Sequence, residues 1–104
     1  MLRETVELGT DRVIRWGLTE DGQTVANDTV TRVQFKIAGL CFDSDTDAEI
    51  TLTDNATVVE LRLGGAAITP GWYDGFLTAY DAQSTNGLPW IKSRIRFVPW
   101  DKCA

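Results

Sequence analysis

The chain contains no histidine, and this absence removes several kinds of chemistry at once. Histidine is the usual general base near neutral pH and the commonest protein ligand of zinc. No serine therefore has a candidate base, and no phosphate-binding glycine loop is present, because Gly64-Gly65 and Asp21-Gly22 are turn glycines. We expect no catalytic residue, no metal, no cofactor and no enzymatic activity.

Cysteine is scarce as well, with only Cys41 and Cys103 and no CxxC spacing. This usage favours two free thiols, with Cys41 as a small hydrophobic core residue and Cys103 in a loose tail. A disulfide between them requires Cα atoms within about 7 Å, which a sequence does not establish.

Long apolar runs are also missing, since no segment approaches the ~20 residues of a membrane-spanning helix. The first eight residues are charged throughout, so we expect no secretion signal. With 10 basic and 15 acidic residues the net charge is −5, which favours solubility over attraction to nucleic acid. We expect no membrane or nucleic-acid partner, and a protein that stays where it is made or leaves within an assembly.

Apolar and polar residues alternate along the chain with a period of two, which is the spacing of β-strands. Val33, Phe35 and Ile37 alternate with polar residues, and turn signals recur every eight to twelve residues. Because no stretch has reliable helical spacing, the sequence predicts an all-β fold, an antiparallel β-sandwich of about seven to nine strands with Greek-key connection as the default. A chain of 104 residues supports one domain, predicted over residues 1–99, with 100–104 as a tail.

The longest predicted strand follows the turn Thr69-Pro70-Gly71 and runs to Asp81. Both of its faces are largely apolar, which predicts a central strand covered at least in part on both sides. One face carries Tyr73, Gly75, Leu77 and Ala79, and the other carries Trp72, Phe76, Thr78 and Tyr80.

Four tryptophans are more than one small core readily hides. Trp16 lies inside an alternating strand and is the best candidate for a core anchor, because indole buries a large area. Trp72 and Trp90 lie beside turns and Trp100 lies in the tail, so we interpret these three as exposed contact residues. Exposed aromatics serve protein contact or sugar stacking, and protein contact is favoured because no polar cluster accompanies them.

One basic stripe, Lys92, Arg94 and Arg96, alternates with apolar residues on the last strand. It is either an ordinary solvated face or a surface for an acidic patch on a neighbouring subunit. Arg32 and Lys36 extend it if their strands are neighbours. The candidate interaction residues are therefore Lys92, Arg94, Arg96, Trp72, Trp90 and Trp100.

Alternating acidic residues from Asp43 to Glu49 resemble the start of a calcium loop, and Asp54 falls at its twelfth position. Ala48 stands at the sixth position, where that loop needs glycine, and the flanks have strand periodicity. We therefore favour a solvated acidic loop. The loop also offers a complement to the basic stripe, so head-to-tail self-association is a further hypothesis.

Four stretches together resemble small structural proteins of tailed phages and prophages. They are Arg15-Trp16-Gly17-Leu18 with Asp21-Gly22, Val33–Ile37, Val59–Leu63 and, most fully, Ile68–Leu77. These proteins carry an immunoglobulin-like sandwich, and a similar module forms the amino-terminal part of baseplate proteins that hold receptor-binding subunits. A turn followed by a tyrosine is common in immunoglobulin-like domains, where the tyrosine often fixes a corner between strands. Tyr73 is the candidate for that role here.

The resemblance implies a non-catalytic virion component or assembly accessory, found in the host cytoplasm during assembly and then in the virion. Its expected partners are other phage structural proteins or itself. We expect no receptor-binder domain, because the chain ends shortly after its last strand. A carbohydrate-binding β-sandwich module is the alternative from a different functional class.

Overall fold

The protein was analysed as a computed structural model, which describes residues 2–17, 19–20, 23–24, 30–53, 58–81 and 85–100. This part of the chain contains strands and turns but no helix, and hence no helix that spans a membrane. The strands are β1 (Leu2–Leu8), β2 (Ile14–Gly17), β3 (Thr19–Glu20), β4 (Gln23–Thr24), β5 (Val30–Ile37), β6 (Leu40–Asp43), β7 (Ile50–Thr53), β8 (Val58–Leu61), β9 (Gly71–Asp81) and β10 (Leu88–Pro99).

The strands form a five-stranded sheet in the order β1-β10-β9-β5-β6, a three-stranded sheet in the order β2-β8-β7, and the short pair β3-β4. The all-β prediction is confirmed, but the prediction of purely antiparallel sheets is wrong, because β1 runs parallel to β10. After β1 the chain leaves for the other sheet at β2, so no hairpin forces β1 to oppose its neighbour. The register places Val6 beside Phe97, and both side chains are buried.

The core is made by side chains from both sheets. Trp16 on β2 is 5% exposed and meets Phe35 on β5 edge to face, with ring centroids 5.7 Å apart. The prediction of Trp16 as a core anchor is therefore confirmed, and its indole nitrogen donates to Glu4 Oε1 at 3.3 Å. The largest fully buried side chains are Phe35, Phe97, Ile37, Ile50, Leu61, Leu63, Leu77, Ile95, Val6, Val33 and Val59.

Strand β9 is central in its sheet, with β10 on one side and β5 on the other, as its length and apolar character predicted. The cover expected at least in part on both faces is unequal: the inner face is buried and the outer face is only partly covered. The three-stranded sheet covers only the inner face, where Leu77 and Ala79 are buried. On the outer face Trp72 is 48% exposed and Phe76 is 47% exposed, because the groups beside these rings are basic side chains and not another layer of strands.

A tight hairpin joins β5 to β6 at Ala38-Gly39. Both residues have left-handed φ, 52° and 78°, as a two-residue turn that follows the twist of the strands requires. The segment after the turn is therefore an edge strand. On it Phe42 takes the inward position and leaves Cys41 exposed, so the prediction of Cys41 as a core residue is wrong. Cys103 lies outside the described residues.

Tyr73 forms the corner contact predicted for it. Its hydroxyl donates to the carbonyl of Thr69 at 3.0 Å and shares a second hydrogen bond of 2.8 Å with Thr69 Oγ1. Its ring meets Phe97 edge to face, with centroids 5.8 Å apart. The start of β9 is thus tied both to the preceding turn and to the neighbouring strand.

Replacing Tyr73 with phenylalanine is expected to lower the free energy of unfolding by about 1–2 kcal/mol, because the Thr69 groups lose their partner while the ring contact stays. Tm is expected to fall by about 4–8 °C for each kcal/mol lost. Tyr80→Phe is the matched control. Its hydroxyl donates one hydrogen bond, to Gln34 Oε1 at 2.6 Å, whereas the Tyr73 hydroxyl takes part in two, so the loss should be about half as large, roughly 0.5–1 kcal/mol. Equal losses in the two variants would contradict a special role for the corner.

Candidate functional site

The outer face of the five-stranded sheet concentrates basic and aromatic side chains, and we call it the basic–aromatic face. Strand pairing brings outer positions of β1, β10, β9, β5 and β6 into register across the sheet. Among the described residues it holds six of the chain's ten Lys and Arg residues. Its main members are Arg3, Lys92, Arg94, Arg96, Trp72, Asp74, Phe76, Tyr80, Arg32 and Lys36.

Three aromatic rings form a row along β9 at every fourth residue: Trp72, Phe76 and Tyr80. Since a strand rises about 3.3 Å per residue, neighbouring members of the row are separated by about 13 Å. The row lies on the strand that the sheet places between two basic strands, β10 and β5. Each ring therefore has cationic neighbours on an adjacent strand.

Trp72 has two of these neighbours on β10. The guanidinium carbon of Arg94 lies 5.4 Å from the ring centroid and that of Arg96 lies 6.0 Å from it, both within cation–π range. Arg94 is also the cross-strand partner of Asp74, and Arg96 is the cross-strand partner of Trp72 itself. This end of the face therefore presents two guanidinium groups around one half-exposed indole.

The other two rings are paired in the same manner. The Lys92 ammonium lies 5.8 Å from the Phe76 centroid. The Arg32 guanidinium lies 4.2 Å from the Tyr80 centroid, and its Nε is 3.7 Å from Asp43 Oδ2. Arg32 is thus held from two sides.

The predicted stripe of Lys92, Arg94 and Arg96 does lie together on this face. Its expected extension by Arg32 and Lys36 is not continuous, because β5 neighbours β9 and not β10. The aromatic row separates two basic rows. Phe76 and Tyr80 were not predicted as site residues, although the four-residue steps from Trp72 to Phe76 and from Phe76 to Tyr80 are visible in the sequence.

Trp90 is not an exposed contact residue of this face, which corrects the expectation for it. It is half-buried and packs against the core beside a bulge where β10 passes Pro89. Its indole nitrogen is buried without a hydrogen-bond partner. A groove of about 330 Å³ lies there, and Phe76 and Lys92 connect it to the basic–aromatic face.

Trp100 directly follows β10 and is 57% exposed. Because Trp90 packs against the core, the six predicted interaction residues do not form one site. Trp100 lines a hollow of about 290 Å³ with Glu7, Thr10 and Arg12. Arg12 donates to both Glu7 oxygens, at 3.0 and 2.9 Å, and these hydrogen bonds lower the pKa of Glu7. The only carboxylate lining the described hollow is therefore already engaged.

Two of the four carboxylates in the acidic loop, those of Asp43 and Asp47, accept hydrogen bonds from groups nearby in the same chain. Asp43 Oδ1 accepts from the Asp45 amide at 2.9 Å, and Asp43 Oδ2 accepts from Gln34 Nε2 at 2.8 Å. Asp47 Oδ2 accepts from the Asp43 amide at 2.8 Å. Within the described ranges no three His, Cys, Asp or Glu residues are grouped so as to hold a metal, and Asp54 lies outside them.

The hydrogen bonds of Asp43 in the acidic loop predict that its contribution to stability depends on pH. The amide of Asp45 and then the Gln34 side chain lower the pKa of Asp43, so its stabilising contribution is present above the unfolded-state pKa of about 3.9. That contribution is lost as the pH falls through the lower folded-state pKa. Asp43→Asn should cost about 1 kcal/mol at pH 7, and the deficit should shrink below about pH 4. Urea unfolding at both pH values measures this.

Asp45→Asn serves as the control, because Asp45 is an exposed carboxylate in the same loop. It should change stability by less than about 0.5 kcal/mol at either pH. A constant Asp43→Asn deficit from pH 7 to pH 3 would refute the assignment.

Neither of the two described serines is arranged for nucleophilic chemistry. Ser93 is fully buried, and its hydroxyl donates to the carbonyl of Gly75 at 3.3 Å. Ser44 Oγ accepts from the Val33 amide at 3.0 Å. Both hydroxyls hold the backbone together. Among the described residues, the exposed basic–aromatic face is therefore a better candidate for a functional site than either serine.

Comparisons with known proteins identify a similar fold but no related sequence. No known protein family and no curated protein matches the chain in sequence. Among solved structures, the chain is similar to part of an endo-β-1,4-mannanase from Thermotoga petrophila, with a TM-score of 0.58 and 15% sequence identity. The match covers 96% of this chain and 18% of the mannanase chain, so this chain spans less than a fifth of that enzyme. At this identity the likeness concerns the fold alone.

Proposed function

We propose that this chain is a non-catalytic immunoglobulin-like domain that acts through protein–protein contacts in a phage or prophage-encoded particle, as a structural or assembly component. The observation that carries the proposal is the basic–aromatic face. Trp72 and Phe76 are each about half exposed on a sheet surface and lie among arginine and lysine side chains. Aromatic residues and arginine are the types most enriched in protein interfaces and their hot spots.

Strand order supports the immunoglobulin-like assignment. In such domains three strands, C, F and G, form the centre of one sheet, and B, E and D lie in the other. Here β5, β9 and β10 take the first three positions, and β2, β8 and β7 take the second three. The hydrogen bond from Tyr73 to Thr69 at the start of β9 corresponds to the tyrosine corner of these domains.

The phage assignment rests on the sequence resemblance. Its fullest stretch, Ile68–Leu77, includes the Tyr73 corner and also Trp72 and Phe76 of the basic–aromatic face. The residues that carry the resemblance are therefore the same residues that shape the candidate surface. Other structural proteins of the particle, or further copies of this chain, are the proposed partners, first in the host cytoplasm and then in the virion.

A carbohydrate-binding module is the second candidate, and the exposed aromatic row is the observation that favours it. Sugar rings stack on open aromatic faces. Here the π-systems of Trp72, Phe76 and Tyr80 already interact with cationic side chains. Protein contact is therefore the better explanation. Electrophoresis through gels containing mannan or other neutral polysaccharides should show no retardation, whereas retardation abolished by Trp72→Ala would favour the sugar module.

Incorporation into particles tests the main proposal. Tailed particles purified after induction of the genome that encodes this chain should contain it when analysed by mass spectrometry. The double variant Trp72→Ala/Phe76→Ala should fold but be depleted from particles by about tenfold or more. Arg15→Ala/Arg62→Ala, a double change at two exposed residues on the side of the other sheet, should be incorporated normally. Particles that form normally without the chain and never contain it would overturn the proposal.

A further inference from the structure

On the basis of the proposed function, we infer that the partner is a different protein chain that presents a carboxylate-rich surface to the basic–aromatic face, centred on Arg94, Arg96 and Trp72. The acidic groups of the partner bind the two guanidinium groups, and an apolar side chain covers the indole. The inference names the chemistry of the partner, which the proposed function leaves open.

Charge distribution is the first argument. The chain as a whole is negative, at −5, yet six of its ten basic residues share this one face of the described structure. The described acidic residues on the same face are Glu7, Asp43 and Asp74, and the first two are already hydrogen-bonded, to Arg12 and Gln34 respectively. The face is therefore a local positive field on an acidic protein, and such a field selects a negative partner.

The setting of the two guanidinium groups is the second argument. Arg94 and Arg96 lie 5.4 and 6.0 Å from the Trp72 centroid, and among the described residues neither forms an ion pair. Contact with a ring restricts a long side chain before binding, so less conformational entropy is lost on binding. The planar donors of arginine match a carboxylate in bidentate geometry. The two arginine side chains are thus pre-organised to bind carboxylates.

The position of Asp74 disfavours a nucleic acid as the ligand of this face. Asp74 lies across from Arg94, in the middle of the basic field, and is exposed. A nucleic-acid backbone carries regularly spaced charge and cannot avoid this carboxylate, whereas a protein surface can place a neutral or basic residue there. The acidic loop of a second copy is a poorer ligand, because two of its four carboxylates, Asp43 and Asp47, already accept hydrogen bonds within their own molecule.

Binding of defined peptides tests the inference. The probes are fluorescently labelled peptides of equal length, one rich in alternating glutamate, one with glutamine and one with lysine at the same positions, measured by anisotropy. The glutamate peptide alone should bind, and more weakly at about 150 mM than at about 20 mM salt. Arg94→Ala/Arg96→Ala should weaken binding about tenfold. Asp74→Ala should strengthen binding about threefold, because it removes a carboxylate that repels the glutamates of the peptide.

Arg62→Ala is the matched control, since Arg62 is an exposed arginine away from this face, 3.7 Å from Glu60, and its loss should not change the affinity. Equal weakening by Arg62→Ala, or no binding of the glutamate peptide, would overturn the inference. Duplex DNA that binds more tightly than the peptide would also overturn it. So would self-association lost in Arg94→Ala/Arg96→Ala, which would assign the face to a second copy.

The two proposals fail separately. If particles incorporate the chain through Trp72 and Phe76 while the glutamate peptide does not bind, the partner chemistry is wrong and the proposed function stands. If the peptide binds as expected but Trp72→Ala/Phe76→Ala enters particles normally, or the chain is absent from them, the proposed function is wrong and the ligand chemistry stands.

Discussion

Gly64→Ala is expected to reduce the free energy of unfolding by about 3 kcal/mol or more, whereas Gly65→Ala is expected to change it by less than about 0.5 kcal/mol. A Cβ at position 64 overlaps the carbonyl oxygen of Thr10 and lies 3.3 Å from the carbonyl oxygen of Glu7. Both neighbours are backbone atoms, so no side chain can rotate out of the way. A Cβ at position 65 meets nothing within 4 Å.

The reason for this crowding is the contact between the end of β1 and the segment after β8. The Gly9 amide donates to the Gly64 carbonyl at 2.8 Å, which draws two backbone segments together across the molecule. A methyl group at Gly64 must push them apart and break that hydrogen bond. Urea unfolding of the two variants measures the difference, and failure of Gly64→Ala alone to yield folded protein counts in the same direction. Equal stability of both variants would show that the two segments are not in close contact.

The sequence did not distinguish these two glycines, which were both interpreted as turn residues that end a strand. A Gly-Gly pair indicates a break in periodicity but says nothing of the backbone at Thr10, 54 residues earlier in the chain, that approaches Gly64. Close approach is a tertiary property. For the same reason the parallel pairing of β1 with β10 was not predicted, since strand direction depends on where the chain crosses between sheets.

Alternation of residue types did predict most strands and their inward faces. Val33, Phe35 and Ile37 are all buried, as their spacing indicated. Prediction failed where the pattern was short. In Leu40-Cys41-Phe42 three consecutive apolar residues do not reveal which parity faces inward, so Cys41 was assigned to the core although Phe42 occupies that position.

The candidate surface was predictable in part. Lys92, Arg94 and Arg96 share one strand face by simple alternation, and the structure places them on an exposed face. Their relation to Trp72 and Phe76 was not predictable, because it requires knowing that β9 and β10 are neighbours in a given register. Strand order is set by long-range contacts that a periodicity of two does not encode.

Gly75→Ala is expected to lower the free energy of unfolding by about 2–3 kcal/mol. Gly75 lies on the inner face of β9, and its Cβ would overlap the Phe35 ring and lie 2.8 Å from Ser93 Oγ. Phe35 has no free space to move, because it is fully buried and its other side meets Trp16 in the opposite sheet. Overpacking at this point therefore strains the contact between the two sheets.

Gly17→Ala is the control for Gly75→Ala. It is also a strand glycine, but a Cβ there meets nothing within 4 Å, so the change should cost less than about 0.5 kcal/mol. If Gly17→Ala proves as costly as Gly75→Ala, the loss comes from a general effect of alanine in these strands and not from the Phe35 ring.

A double-mutant cycle identifies the atoms responsible. Phe35→Leu removes the ring atoms that a Cβ at Gly75 would overlap, and by itself it should destabilise the protein because it leaves a cavity. The variant Gly75→Ala/Phe35→Leu should nevertheless be more stable than the sum of the single losses by about 1 kcal/mol or more, since the new methyl group partly fills that cavity. A coupling near zero would mean that the backbone of β9 absorbs the overlap. Because Trp72 and Phe76 lie on the opposite side of this strand, that outcome would also predict weaker binding of the glutamate peptide by Gly75→Ala alone.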